Sequence, residues 1–175
     1  MKAAIVLAVL VAIPAAARAD IGVRAGVEAL IASHDSKQSP ATQVFLGDQT
    51  TLTGNLMLQF WLPADVVSID AEIAQAYDFK AGHRGSTTFR PGLTISPPLF
   101  PLYARAAIPI DFNGYDNLHP TIAGLRVGLG TNIGLPMAKV YIEGDADFPL
   151  FGGTGAPDAF SRQNLSLGAG VAFRF

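Results

Sequence analysis

The sequence predicts an all-β fold, an eight-stranded, antiparallel, up-and-down transmembrane β-barrel. Apolar and polar residues alternate in eight separate segments, each about as long as a tilted strand that crosses a bilayer. The chain is 50% hydrophobic and only 15% charged, whereas soluble domains carry about 25% charged residues. Connections rich in Gly, Pro, Asn and Ser separate the segments, and their lengths alternate between long and short, as in up-and-down barrels.

Residues 1–19 have the features of a secretory signal peptide. Lys2 provides a positive start, and the apolar run that follows is too short to span a bilayer as a helix. Ala17-Arg18-Ala19 then matches the small-residue pattern that signal peptidase reads. We therefore predict cleavage after Ala19, with Ala17 and Ala19 as the residues that signal peptidase recognises. Residues 20–175 are assigned to one barrel domain.

Charge and cysteine content exclude several classes of protein. Without the leader, 10 basic residues face 14 acidic ones, a net charge near −4. Nucleic acid is therefore excluded as a partner. The chain contains no Cys, so we expect neither disulfides nor a lipoprotein anchor. No motif in the sequence calls for a cofactor.

The first four strands are predicted from period-two alternation. In residues 21–31, Ile, Val and Ala alternate with Gly, Arg and Glu, and in residues 51–62, Leu and Phe alternate with Thr, Asn and Gln. Residues 66–77 set Val, Ile and Ala against Ser, Asp and Glu. Residues 87–96 set Phe, Leu and Ile against Thr, Arg and Gly. Each segment is expected to have one apolar and one polar face.

The last four strands follow from the same period. Residues 101–110 place Leu, Ala and Ile opposite Tyr and Arg. Residues 122–135 show the clearest pattern, with Ala, Leu, Val and Ile opposite Gly, Arg and Asn. Residues 139–148 set Val and Ile against Tyr, Glu and Asp, and residues 164–175 set Leu, Val and Phe against Asn, Ser and Gly. Eight strands result, an even number, so both ends of the barrel domain are expected on the short-turn side.

The connections are predicted to differ between the two ends of the barrel. Short turns near Pro63, Pro97 and Pro136 would face the periplasm, and four longer loops the outside. The longer loops are predicted at residues 33–50, 80–85, 113–120 and 149–161. The first and last of them are the expected contact surfaces for an extracellular ligand.

Two prolines depart from a regular barrel. Pro91 and Pro109 each remove a hydrogen-bond donor within a predicted strand, and a closed barrel has no edge strand to accommodate that loss. We expect bulges or early fraying in the fourth and fifth strands.

Alternation alone does not decide which face is outside, because a soluble lipocalin-like barrel alternates with its apolar face inward. Three observations favour lipid outside. No position on the apolar face is charged, as lipid exposure requires. The polar face is rich in Gly, which suits a narrow lumen. Aromatic residues collect near both ends of the strands, where rings meet lipid headgroups.

The charged residues of the polar face are the main candidates for function. If they reach the middle of the lumen, acids and bases must pair, because an unpaired buried ion is strongly destabilising. The interpretation that follows is an internal salt-bridge plug, and the alternative is a gated or very narrow ion path. The residues of this lumen charge network are Arg24, Glu28, Asp70, Glu72, Arg90, Arg105, Arg126, Glu143 and Asp145.

With these strands and faces, the chain resembles the small eight-stranded outer-membrane barrels of Gram-negative bacteria, of the OmpA-membrane-domain, OmpX and OmpW type. The resemblance covers nearly all of residues 20–175. At the C-terminal end, Gly170, Phe173 and Phe175 resemble the assembly signal of that family, although Gly168 stands where a polar residue is usual. The resemblance implies a place in the bacterial outer membrane and recognition by the barrel-assembly machinery. Deletion of Phe175 is then expected to impair membrane insertion.

Three histidines, His34, His83 and His119, lie near the predicted long-loop ends of strands. Histidines on one rim could bind a metal, but nothing here resembles a ligand-spacing motif, so no metal site is assigned. His34-Asp35-Ser36 does not make a catalytic triad, because adjacent residues do not adopt the relay geometry. Some small barrels modify lipids with His and Ser at the outer rim, which keeps that enzyme class as an alternative.

The function predicted from the sequence is that of a structural or surface-interaction scaffold in the cell envelope. The barrel is expected to be a monomer surrounded by outer-membrane lipid, without enzymatic activity and without a catalytic residue. A narrow ion or small-solute channel is the first alternative, and a lipid-modifying outer-membrane enzyme is the second.

Overall fold

A computed structural model of the chain describes residues 20–37, 40, 42–44, 51–63, 65–98, 100–112, 123–135, 137–151 and 160–175. The predicted signal peptide, with Ala17 and Ala19, lies outside these residues, as does the predicted loop at 113–120. The described residues form the strands β1 (Ile21–Asp35), β2 (Thr42–Val44), β3 (Thr51–Trp61), β4 (Val67–Asp78), β5 (His83–Ile95), β6 (Leu102–Ala107), β7 (Ile110–Phe112), β8 (Ala123–Gly134), β9 (Ala138–Phe151) and β10 (Arg162–Arg174).

These strands close into a barrel. Apart from the short strands β2 and β7, strands that follow one another in sequence are antiparallel neighbours in space. β10 pairs with β1, from Gly22 opposite Arg174 to Asp35 opposite Arg162. The short strands β6 and β7 share one position in the wall, between β5 and β8. β2 extends the sheet beside the far end of β1. The wall therefore has eight positions in up-and-down order, and the predicted fold class is confirmed.

Several predicted boundaries are wrong at the long-loop end. β1 continues to Asp35 because β10 pairs with it as far as that residue and β2 pairs with residues 32–34. The predicted loop at 33–50 therefore begins inside a strand and contains another. The predicted loop at 80–85 is a tight turn between β4 and β5, in which Gly82 has a φ of 69°. A φ in this range is strained for residues other than glycine. β9 likewise continues to Phe151, past the predicted start of the fourth loop.

The two prolines, which lack a backbone N–H, both lie next to the break between β6 and β7. The expected bulge at Pro91 is wrong, since β5 runs through it in register with Ala71 of β4. The N–H of Ile108 donates to the carbonyl of Pro91 at 2.9 Å. N–H and C=O of a strand residue face the same neighbour, so the missing donor of Pro91 faces the break between β6 and β7. Pro109 lies in that break, as expected, and its carbonyl accepts from the N–H of Gly124 at 3.0 Å.

The two faces of the wall have opposite polarity, and the apolar one is outside. Large hydrophobic side chains are exposed around the barrel, Leu129 of β8 by 71%. The interior contains arginines, carboxylates, hydroxyls and amides, with few apolar side chains. Such a molecule is stable only where the outer face meets lipid, because a polar interior supplies no hydrophobic driving force in water. The lipocalin-like alternative is therefore wrong.

Among the described residues, no helix has the length and apolar character that crossing a bilayer as a helix would require.

Candidate functional site

The structure places all nine predicted lumen residues inside the barrel, and each is buried. They project from β1, β4, β5, β6, β8 and β9, because each occupies the inward position of its strand. Arg126 of β8 is only 2% exposed although it is one of the largest side chains of the interior. The alternation thus places each charge on the inner face of its strand, and closure of the barrel brings the charges of six strands together.

Arg24 lies in an aromatic and acidic pocket of the lumen. Its guanidinium group donates to Glu143 at 2.9 Å and to the hydroxyl of Tyr103 at 2.5 Å. The same guanidinium lies 3.8 Å from the ring centroid of Tyr141 and 4.9 Å from that of Tyr103. Tyr103 in turn donates to Glu143 at 2.5 Å. The cation is therefore compensated by a carboxylate and by two ring faces.

Arg105 joins this pocket to the acids of β4. Its guanidinium is 2.5 Å from Glu72, 3.5 Å from Glu143 and 3.6 Å from Asp70. Asp70 also accepts hydrogen bonds from Thr94 at 2.5 Å and from Ser68 at 2.7 Å. The carboxylates of β4 are thus held by a cation and by hydroxyl donors of the wall.

Arg90 and Arg126 both bind Glu28. Arg90 donates to Glu28 at 2.8 Å and to Glu72 at 2.8 Å. Arg126 donates to Glu28 at 2.7 Å. Through Glu72 this part of the network is connected to Arg105.

Arg126 also reaches two carboxylates of β9. Its guanidinium is 2.9 Å from Asp145 and 3.2 Å from Asp147. Ser166 of β10 accepts a further hydrogen bond from it at 3.2 Å.

All the ion pairs of the interior described so far belong to one connected set, which we call the lumen network. It consists of the nine predicted residues together with Tyr103 and Asp147.

The glycines of the polar face make room for the lumen network. A Cβ built on Gly26 would overlap the hydroxyl of Tyr141, and one built on Gly130 would overlap the ring of Tyr103. One built on Gly128 would overlap the carboxylate of Asp145. Large lumen side chains thus lie over neighbouring strands at positions where no side chain is present.

Two cavities flank the network. On the long-loop side, a cavity of about 280 Å³ is bordered by Arg90, Asp147, Thr88 and Asp111 among others. On the short-turn side, a cavity of about 310 Å³ is bordered by Gln59, Trp61 and Arg174 among others. Gln59 donates to Asp70 at 3.3 Å, so the network borders both spaces.

Tyr103 and Asp147 are the members of the network that the sequence-based assignment missed. Both lie on the predicted polar face, so the signal that would have found them was present. Tyr103 carries no charge, and the prediction was restricted to the charged residues of that face. Asp147 lies near the end of its predicted strand, where a rim position and a lumen position are indistinguishable in sequence.

The rim residues that the structure describes make local contacts. His34 contacts the hydroxyl of Thr42 through Nδ1 at 2.9 Å, and Asp35 accepts from the N–H of Lys37 and from Arg162. His83 contacts the carbonyl of Arg84, and His119 lies outside the described residues. Within those residues, no group of three or more His, Cys, Asp or Glu side chains is arranged to hold a metal.

Asp35 lies at the water-exposed end of β1. The hydrogen bond from the backbone N–H of Lys37 is the largest influence that lowers the pKa of its carboxyl below the ordinary value, and the ion pair with Arg162 adds to it. This carboxylate is therefore fixed as an anion at the rim.

Gly170 and Phe173 lie in the second half of β10, and Phe175 follows its last residue. The rings of Phe173 and Phe175 are exposed on the outside, and Gly170 lies against the backbone of Ala25 and Gly26 in β1. Their proposed part in assembly stays a prediction.

No protein-family model and no curated protein sequence matches the chain. Among solved structures, it is similar to Neisserial surface protein A, with a TM-score of 0.58 at 14% identity over 89% of this chain and 97% of that one. The outer membrane protein AlkL gives a TM-score of 0.47 at 12% identity over 90% of each chain. The outer membrane protease OmpT from Escherichia coli gives 0.40 at 11% identity over 89% of this chain and 97% of that one.

The closed wall, the apolar outer face and the polar interior define a transmembrane β-barrel. The likeness to Neisserial surface protein A agrees with that conclusion at the level of the fold. The chain therefore has the fold of the small eight-stranded outer-membrane barrels, as its resemblance to them predicted.

Proposed function

We propose that this protein is an integral barrel of the bacterial outer membrane that serves as a structural or surface-interaction scaffold, with a lumen closed by the lumen network. The observation that carries the proposal is the connectivity of that network. From Arg24 to Asp147, each charged member is within 3.6 Å of an opposite charge. A permeating ion would have to separate several such pairs in a space of low polarisability, where each separation is costly.

The scaffold role also draws on the rigidity of the wall. The network ties six strands to one another through side chains, in addition to the backbone ladder. A barrel held in this way presents its long-loop ends at a fixed spacing. The ends of β1 and β10, joined by Asp35 and Arg162 at 3.2 Å, are the proposed base of the contact surface for an extracellular ligand.

Single-channel recording on refolded wild-type protein in planar bilayers tests the closed lumen. We expect no conductance steps for the wild type and new steps for Arg126→Ala, because this change removes a large side chain and releases three carboxylates. Arg162→Ala is the matched control, since Arg162 is an exposed arginine of the rim. Regular conductance of the wild type would overturn the proposal, and a heat-dependent gel shift verifies that each variant is folded.

The charge of the network supports a narrow cation path as a second candidate. Among the described residues, four guanidinium groups of the network face six carboxylates: Glu28, Asp70, Glu72, Glu143, Asp145 and Asp147. Excess fixed negative charge in a lumen favours cations over anions. This candidate predicts wild-type conductance with a cation-selective reversal potential in a KCl gradient, and the absence of any conductance excludes it.

A further inference from the structure

A bulge in the β4–β5 hairpin moves one arginine from the lumen face to the lipid face. Gln75 is opposite Thr87, but two residues further along β4, Tyr77 is opposite Arg84. Gly85 and Ser86 are therefore both accommodated opposite Ala76, as in a β-bulge. Regular alternation from Thr88, which is buried in the lumen, would turn Arg84 inward. With the bulge, Arg84 shares the outer face with Tyr77.

On the short-turn side of the bulge, the outer face is polar, and its side chains form hydrogen bonds within the hairpin. Thr87 donates to the side-chain oxygen of Gln75 at 2.6 Å. The amide nitrogen of Gln75 donates to the carbonyls of Gly85 and Ser86, each at 3.2 Å. Side chains of this kind lie outside the hydrocarbon core. The apolar belt, which includes Ile73 and Phe89, therefore ends at this level.

Between this level and the turn of the hairpin lies an aromatic pair. The rings of Tyr77 and Phe79 are 4.9 Å apart between centroids in an edge-to-face arrangement, and both are exposed. Exposed Tyr and Phe rings that border an apolar belt are typical of the headgroup level of a membrane.

Two cations accompany this pair. The side chains of Lys80 and Arg84 are exposed, and within the described residues neither forms a hydrogen bond or an ion pair. The nearby carboxylate of Asp78 accepts from the backbone N–H groups of Lys80 and Ala81 at 2.8 and 3.0 Å. This carboxylate is also attracted electrostatically to Lys80 and His83. No ion pair fixes the Lys80 ammonium or the Arg84 guanidinium in the described part of the chain, so both can contact an external anion.

We propose that Arg84 and Lys80, together with the Tyr77–Phe79 pair, form a binding site for the phosphate group of an anionic lipid in the outer leaflet. The guanidinium fork matches phosphate geometry, and Lys80 adds a second charge. The acyl chains of the lipid would lie along the apolar belt below Gln75, and its sugar or glycerol part against the exposed rings. The inference depends on the membrane barrel but not on whether the lumen conducts.

The test uses the full barrel in phosphatidylcholine nanodiscs that contain a small fraction of diphosphorylated lipid A. The amount of lipid A retained per barrel after mild detergent extraction is measured by mass spectrometry. We expect wild type to retain lipid A, and Arg84→Ala and Lys80→Ala each to lower retention about fivefold, as expected from about 1 kcal/mol per interfacial cation. Arg84→Lys keeps the charge and should fall between wild type and Arg84→Ala.

Two controls separate phosphate binding from general adhesion. Arg162→Ala, which removes an exposed arginine of the same rim that is paired with Asp35, should retain lipid A like wild type. Dephosphorylated lipid A should be retained poorly by every form of the protein. Equal retention of both lipids, wild-type retention by Arg84→Ala, or an equal loss in Arg162→Ala overturns the proposal. None of these measurements depends on conductance. Lipid binding is therefore tested separately from the closed lumen.

Discussion

Arg126 of β8 and Glu28 of β1, 98 residues apart in the chain, meet across the lumen at 2.7 Å. Glu28 also binds Arg90, and Arg126 also binds two carboxylates of β9. The pair is thus the point at which charges from four strands of the barrel converge. Removal of one member leaves several buried ions without full compensation.

The first prediction concerns Arg126→Met, which keeps much of the side-chain volume and removes the charge. We expect the free energy of unfolding to fall by about 3–5 kcal/mol, because breaking a buried pair from one side leaves an uncompensated ion. Urea-dependent unfolding in lipid vesicles measures the change. The exposed pair of Arg162 with Asp35 provides the control, since Arg162→Ala should cost at most about 1 kcal/mol. Equal effects of the two substitutions would contradict the account of the lumen network.

The second prediction concerns the hydroxyl of Tyr103. In Tyr103→Phe, Arg24 loses an acceptor and Glu143 loses a donor, both at 2.5 Å in the wild type. We expect a loss of about 1.5–3 kcal/mol in stability, as for buried hydrogen bonds to charged groups. Tyr77→Phe removes the hydroxyl of an exposed ring and should have little effect under the same unfolding conditions. A loss confined to Tyr77→Phe would refute the prediction.

The third prediction concerns the glycines on which the lumen side chains lie. Gly26→Ala places a Cβ against the hydroxyl of Tyr141 and the carbonyl of Ala169, and we expect it to cost about 1–3 kcal/mol, as overpacking does. Gly144→Ala is the matched control in the same barrel, because no atom lies within 4 Å of the added Cβ. Both variants are compared in the same vesicle unfolding assay, and equal stabilities would contradict the close packing at Gly26.

The fourth prediction uses Trp61, which is the only tryptophan of the chain. The guanidinium of Arg174 lies 5.0 Å from its ring centroid and binds Asp20 at 2.7 Å and also Asp65. We expect Arg174→Ala to shift the fluorescence emission of the refolded protein to longer wavelength, because the ring gains contact with water. Lys139→Ala, at the border of the same cavity, should leave the emission unchanged. An unchanged spectrum in Arg174→Ala would mean that the contact does not shield the ring.

The sequence alone was sufficient to predict the eight wall positions and the side that each residue faces. Ile73 and Glu72 show why. The side chains of neighbouring strand residues point to opposite faces, so a period of two places Ile73 and Glu72 on opposite faces without knowledge of any partner strand. The absence of charge from the apolar face then assigns that face to lipid. The nine predicted charges of the lumen were identified from the alternation together with the absence of charge from the apolar face.

The boundaries at the long-loop end could not be predicted in the same way. Residues 33–35 are polar and lack a regular alternation, yet β1 includes them because β10 pairs with all three and β2 pairs with the first two. The expected bulge at Pro91 was wrong for a related reason. Its missing donor faces the break at Pro109 in the neighbouring strand, and the effect of one proline therefore depends on the position of the other.

For this protein, the sequence by itself determined the class of fold and the polarity of the two faces, because both follow from local side-chain direction along a strand. Only the tertiary structure decided which charges pair, that Tyr103 and Asp147 join them, and that the bulge at Gly85 and Ser86 turns Arg84 outward. Each of these depends on the register between strands, and register is a relation between distant segments. A shift of one residue would exchange the faces of a whole strand, so it is the closed barrel that determines the contents of the lumen.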